Sequence, residues 1–177
     1  MTITETNIET KTTAVAPRRW HLDASDTTVE FSARTFWGLS TVHGRFDRFD
    51  GSYEIGPHGT KVELTVDADS LDTGNATRDK HLRSDDFFHV TQHPQVRFVS
   101  TRVREEGDGT LHVEGRLTAA GRVVPVELHA AVLATAYGVV IDGATAIDHR
   151  LFGMSGGLLG MIRPPVSLRV RAHLHAL

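Results

Sequence analysis

Cysteine is absent from the 177 residues, which excludes disulfides, thiolate metal sites and a cysteine nucleophile. No segment approaches the ~20 consecutive apolar residues that a membrane-spanning helix needs. Met1 to Arg19 is rich in threonine and glutamate and lacks the apolar run of a secretory leader, so residues 1–18 read as a flexible arm ahead of one domain over 19–177, in a cytoplasmic protein. Strong charge of either sign is missing as well. At a formal net charge of -3 there is no electrostatic footprint for nucleic acid or for an anionic membrane surface. What remains is an ordinary globular composition, 40% hydrophobic and 23% charged, long enough for a sizeable single core.

Most of that chain alternates with a period of two, the mark of half-buried strands. Val29, Phe31, Ala33 and Thr35 alternate with Glu30, Ser32 and Arg34, and Thr41 to Phe49 gives a second strand in which Gly44 suggests a bend or bulge. Gly51 to Ile55 is a short strand. Val62, Leu64, Val66 and Ala68 form the clearest pattern, followed later by Val96 and Phe98, by Leu111, Val113, Gly115 and Leu117, by Val126, Leu128, Ala130 and Val132, by Val139 to His149, and by Leu168, Val170, Ala172 and Leu174. Short glycine-bearing turns join them. The expected fold is all-β: an antiparallel meander of about eight strands that removes its edges by closing into a barrel able to hold one small ligand, although periodicity alone does not separate a barrel from a sandwich.

The period breaks once, between Ser70 and Ser100. Long connections inside compact domains tend to be lids or binding segments. Thr73, Asn75 and Thr77 offer N-caps to a short helix over Arg78 to Arg83, Ser84 offers one to a second turn starting at Asp85 and Asp86, and Pro94 ends the helical connection near residues 73–93. Leu82, Phe87 and Phe88 are its apolar contacts with a sheet.

This stretch carries a resemblance. Leu71-Asp72-Thr73, Arg78-Asp79, His81-Leu82-Arg83-Ser84, Asp86-Phe87-Phe88, His93-Pro94 and Phe98 follow one another as in the YceI-like family, lipocalin-like proteins associated with polyisoprenoid binding. Trp20, Leu22-Asp23, Val29-Glu30-Phe31, Val42 and Gly44-Arg45-Phe46 extend it. The likeness departs at Asp148 to Met154, which resembles the family's Asp-Arg-x-x-Phe-Gly signature with altered spacing, and at Leu159 to Pro165, which replaces an acidic turn. It implies a closed lipocalin-like barrel and a binding protein rather than an enzyme. Since many members carry a secretory signal, it also implies a cytosolic branch here.

Catalytic and metal readings weigh less. Gly153-Met154-Ser155-Gly156-Gly157 matches a nucleophile-elbow pattern, but no acid follows Ser155 and Leu158 to Pro165 leaves no room for the required helix. His89 and His93 are four apart, yet Pro94 follows at once and no H-E-x-x-H sequence exists, so no metal site is expected. A small serine hydrolase and a haem-binding barrel are the alternatives. Arg78, Asp79, His81 and Arg83 read as a structural clasp tying the connection to the barrel. Phe31, Phe36, Trp37, Phe46, Leu82, Phe87, Phe88, Phe98, Met154, Leu158 and Met161 could line an elongated apolar cavity. With the resemblance, they imply an isoprenoid lipid or quinone as partner, no cofactor, no nucleic acid and no stable membrane insertion, with a homodimer left open.

Overall fold

In the computed structural model, described for residues 18–35, 38–155 and 162–176, every strand joins one antiparallel sheet that closes on itself. The strands are β1 (Arg18–Leu22), β2 (Thr28–Thr35), β3 (Ser40–Phe46), β4 (Phe49–Gly56), β5 (Gly59–Asp67), β6 (Leu71–Asp72), β7 (Gln95–Gly107), β8 (Thr110–Ala119), β9 (Arg122–Ala134), β10 (Gly138–Ile147) and β11 (Ile162–Ala176). One helix, α1 (Ala76–Arg83), lies between β6 and β7. The eleven segments are eight strands in space, because β1 with β2, β3 with β4, and β5 with β6 are each one strand interrupted once. The pairings show it. β11 meets β1 at Leu174↔Leu22 and β2 at Val170↔Val29, while β3 and β4 pair in turn with β2 and β1, at Phe46↔Val29 and Ser52↔His21. Each of the eight neighbours the next in sequence, and the last closes on the first, giving an up-and-down barrel without free edges.

Alternation then decides what fills the lumen. Val29, Phe46, Val66, Phe98, Leu111, Val113, Leu117, Val126, Ala172 and Leu174 are buried in one core, whereas the residues between them carry outward ion pairs such as Arg169 with Asp142 at 2.8 Å and Arg104 with Glu114 at 2.6 Å. Exposed pairs of this kind contribute little, about 0–1 kcal/mol each. Burial of the inward face holds the barrel.

Several boundaries differ from those read in the sequence, each for a local reason. Phe49 belongs to β4, because Asp47 and Arg48 turn aside to bond Ser70: both backbone N–H groups donate to its Oγ, at 3.2 and 3.0 Å. Ala68 sits in a 3-10 turn (Ala68–Ser70) capped by the Asp67 side chain, which accepts from Asp69 N. His149 belongs not to β10 but to a second 3-10 turn (His149–Phe152) capped by Asp148. β11 starts at Ile162 and carries Pro164 and Pro165 through a register shift between Arg163 and Ser167, where its pairing with β2 is interrupted and proline's missing N–H is tolerated. Gly44 makes no bulge, since β2 and β3 pair without a break. Its lack of a side chain admits the Phe31 ring, whose Cζ would lie 2.2 Å from a Cβ there.

Candidate functional site

The connection between β6 and β7 covers one end of the barrel, and its sequence explains how it docks. Asn75 caps α1 by accepting from Arg78 N at 3.0 Å. Only Asp79 and Leu82 of the helix are buried, so polar ties rather than an apolar face fix it. Asp79 Oδ1 accepts from both Thr73 N (3.0 Å) and Thr73 Oγ1 (2.6 Å). Arg78 reaches the same residue, with Nε on Thr73 Oγ1 at 2.7 Å and Nη2 on Thr73 O at 2.9 Å. Arg83 does not pair with Asp86; it donates to Asp69 O (3.0 Å) and Leu71 O (2.6 Å) and pairs with Asp69 Oδ1 at 3.0 Å. His81 Nε2, at 3.8 Å from Asp86 Oδ2, is beyond hydrogen-bond reach and has no partner. Ser84 closes α1 by donating its Oγ to His81 O at 2.6 Å, and its carbonyl starts the turn over Asp85 to Phe88, accepting from Phe87 N at 3.1 Å. Arg78, Asp79 and Arg83 thus hold the connection to Thr73, Asp69 and Leu71, while the ring of His81 rests on Phe87 with centroids 5.3 Å apart.

Beneath the connection lies an upper chamber of ≈ 100 Å³, lined by Phe31, Phe46, Leu82, Phe87, Phe88 and Met154 together with Val96, Leu117, Ile147, His149, Phe152, Ile162 and Leu168. Phe88 meets Phe46 edge-on at 5.9 Å, and Phe46 meets Phe31 at 5.5 Å. A lower chamber of ≈ 140 Å³ continues the lumen between Phe98, Leu111, Val126, Leu128, Ile141, Val170 and Leu174. Leu117 and Leu168 line both chambers. Phe98 overlies Gly115, whose missing Cβ would fall 2.4 Å from the ring, repeating the Phe31 and Gly44 arrangement. Of the eleven residues expected to line a cavity, six border the upper chamber and Phe98 the lower one. Phe36, Trp37, Leu158 and Met161 lie outside the described residues. A wider depression of ≈ 810 Å³ lies on the outer face among Glu30, Ser32, His43, Arg45, Asp72 and Arg169, and also borders Phe31 and Leu168; it is open, so an apolar molecule there would stay in contact with water.

One polar side chain, absent from the residues expected to line a cavity, breaks the apolar lining of the upper chamber. His149 is 5% exposed, and its Nδ1 is buried without a hydrogen-bond partner. Such a group costs about 1–3 kcal/mol. Burial pushes its imidazole pKa down, opposed by the Asp148 carboxylate and aided by Arg150, so the ring is held neutral. Asp148 itself is lowered to about 2, chiefly by its hydrogen bonds with the Arg150 side chain.

The other chemical candidates are placed as follows. Ser155 is exposed and follows a 3-10 turn rather than a strand, with its backbone N–H donating to Asp86 O at 3.1 Å. The His89 and His93 rings meet edge-on at 5.7 Å, and among the described residues no group of three or more His, Asp or Glu is arranged to hold a metal ion. No helix of the described residues is long and apolar enough to cross a membrane.

Comparison with known proteins agrees with this architecture. A family model described as a YceI-like domain matches residues 20–174. A UPF0312 protein of Pectobacterium carotovorum is 44% identical over 96 residues, 52% of this chain and 50% of that protein. Protein YceI of Salmonella arizonae is 45% identical over 96 residues, with the same coverage, and a UPF0312 protein of Pseudomonas aeruginosa is 36% identical over 126 residues, 66% of this chain and 65% of that protein. The matched stretch thus spans about half to two thirds of these relatives. Among solved structures, BcnA of Burkholderia cenocepacia superposes with a TM-score of 0.78 at 20% identity, covering 85% of this chain and 98% of that one. A polyisoprenoid binding domain from Saccharophagus degradans gives a TM-score of 0.69 at 18% identity, covering 89% and 98%. At these identities the likeness is one of fold.

Proposed function

The chain belongs to the YceI-like family, and on that premise we propose that its barrel binds one long apolar molecule, a polyisoprenoid or an isoprenoid quinone, without carrying out chemistry on it. The observation that carries this reading is the pair of apolar chambers stacked along the lumen and meeting at Leu117 and Leu168. Each buried methylene contributes about 0.8 kcal/mol, so a chain of several isoprene units is held by burial with few polar contacts. The polyisoprenoid binding named for the Saccharophagus domain is consistent with it. Each chamber is below the ~300 Å³ at which pockets for drug-sized ligands begin. A ligand of that length therefore runs through both and displaces the leucines between them. The cysteine-free composition suits a reducing compartment, and carriage, storage or sensing in the cytoplasm is the setting proposed.

The test is thermal unfolding with and without geranylgeraniol, a chain of four isoprene units. At ~100 times its dissociation constant a ligand adds about 2.7 kcal/mol, which for a domain of this size raises Tm by roughly 5 to 11 °C. Absence of any shift with this alcohol and with isoprenoid quinones would remove the reading.

A further inference from the structure

His149 is the only polar side chain among the described residues that line the upper chamber. It reaches that chamber from the 3-10 turn following β10, is 5% exposed, and keeps Nδ1 buried with no partner. Of the arginines at this end, Arg150 pairs with Asp148 at 2.6 Å, Arg83 with Asp69 and the carbonyl of Leu71, and Arg78 with Thr73, while Arg122 lies exposed against Gly153 at the close of the same turn. None of these four lines the chamber. A phosphate or carboxylate brought into it would be buried without a counter-charge, at a cost an apolar tail does not offset. A hydroxyl or a quinone carbonyl meets no such penalty, and either satisfies Nδ1. As a neutral imidazole the ring offers Nδ1 as acceptor in one tautomer and as donor in the other.

We propose that His149 Nδ1 is the polar anchor of the barrel, hydrogen-bonding the neutral oxygen at the end of an isoprenoid ligand so that the head lies beneath the β6 to β7 connection and the tail passes Leu117 and Leu168 into the lower chamber. This rests on the reading of the lumen as an isoprenoid site and adds to it the chemical class of the head group and the direction of the chain. The burial that lowers the pKa of His149 agrees with a neutral partner, since a cationic ring would favour an anion.

Four probes with the same four-unit tail separate the possibilities: geranylgeraniol, menaquinone-4, the matching hydrocarbon without oxygen, and geranylgeranyl diphosphate. The wild-type protein is expected to bind the alcohol or the quinone about five- to tenfold more tightly than the hydrocarbon, the value of one net hydrogen bond, and the diphosphate most weakly. His149→Leu should bind the hydrocarbon as the wild type does and lose the preference for oxygen. His149→Asn, whose amide reaches the Nδ1 position, should regain part of it. On wild-type protein labelled with ¹⁵N-histidine, the Nδ1 resonance of His149 should move on adding the alcohol or quinone and stay in place with the hydrocarbon, a readout that does not depend on either variant folding. Diphosphate binding as tightly as the alcohol, an unmoved Nδ1 resonance, or an undiminished preference in folded His149→Leu would overturn the anchor while leaving the apolar site standing. Failure of the wild type to bind any of the four would overturn both.

Discussion

Leu168 stands where a long ligand has to pass, and its replacement tests whether the two chambers act as one site. It reaches into the lumen from β11, opposite Thr145 of β10 and Phe31 of β2, while Leu117 comes from the non-adjacent β8. Leu168→Trp fills the passage. Inserting extra core atoms costs about 1–3 kcal/mol in a well-packed interior, but chambers of ≈ 140 and ≈ 100 Å³ flank this position, so the loss should sit at the low end. Binding responds far more. A four-unit tail confined to one chamber leaves about ten carbons unburied, and at about 0.8 kcal/mol each that removes roughly 8 kcal/mol, more than five powers of ten in Kd. Geranylgeraniol should therefore no longer raise Tm, whereas a one-unit alcohol that fits a single chamber should bind as it does to the wild type. Leu168→Ala is the counterpart: it should lose about 2 kcal/mol of stability, near the low end for leucine because empty space already borders the side chain, and keep its affinity for the long chain. A folded Leu168→Trp protein that binds geranylgeraniol like the wild type would refute the continuous-lumen argument.

Other perturbations address the parts that shape this lumen. Gly44→Val places a Cβ 2.2 Å from Phe31 Cζ, so the ring must swing away; a loss of about 1–3 kcal/mol in urea unfolding is expected, together with weaker ligand binding as Phe31 takes up chamber space. Asp79→Asn keeps an oxygen for the two Thr73 donors that converge on Oδ1 and removes only charge. It should cost about 1–2 kcal/mol and speed amide exchange between Asn75 and His89, while unchanged exchange there would mean that the clasp does not hold the connection. His149 gives a pH signature. Its folded pKa is lowered from 6.5, so below pH 6.5 the unfolded chain takes up a proton that the folded chain refuses, and stability falls as pH drops from there toward the folded value. The stability difference between wild type and His149→Asn should shift against the wild type from pH 8 to pH 5; a difference constant across that range would contradict a buried neutral ring.

The parts legible in the sequence are those governed by local pattern. Alternation in β8 and β9 placed Leu111, Val113, Leu117, Val126 and Leu128 inward, and glycine-bearing turns located the hairpins. The helix between β6 and β7 announced itself through Asn75 and Pro94. What was not legible depends on distant partners. That the strand is broken into β3 and β4 follows from Ser70 accepting the backbone bonds of Asp47 and Arg48 across more than twenty residues. Ring closure rests on β11 meeting both β1 and β2, contacts between the two ends of the chain. Arg83 had Asp86 three residues away as an obvious partner, yet the fold brings Asp69 and the Leu71 carbonyl within reach. Gly44 signalled a bend only because its partner Phe31, across the strand pair, was unknown. His149 carried no signal, since a histidine at the end of a strand pattern looks like any exposed polar residue until a 3-10 turn folds it inward.

Whether the lumen holds an isoprenoid chain is decided by purifying the protein without detergent, extracting it with organic solvent, and identifying and quantifying the extracted lipids by mass spectrometry. One isoprenoid lipid per chain, carrying a neutral oxygen at its head, is expected, with the amount falling sharply in Leu168→Trp. An extract free of isoprenoids, from protein whose melting is also unmoved by added polyprenyl alcohols and quinones, would rule out an isoprenoid site in the lumen.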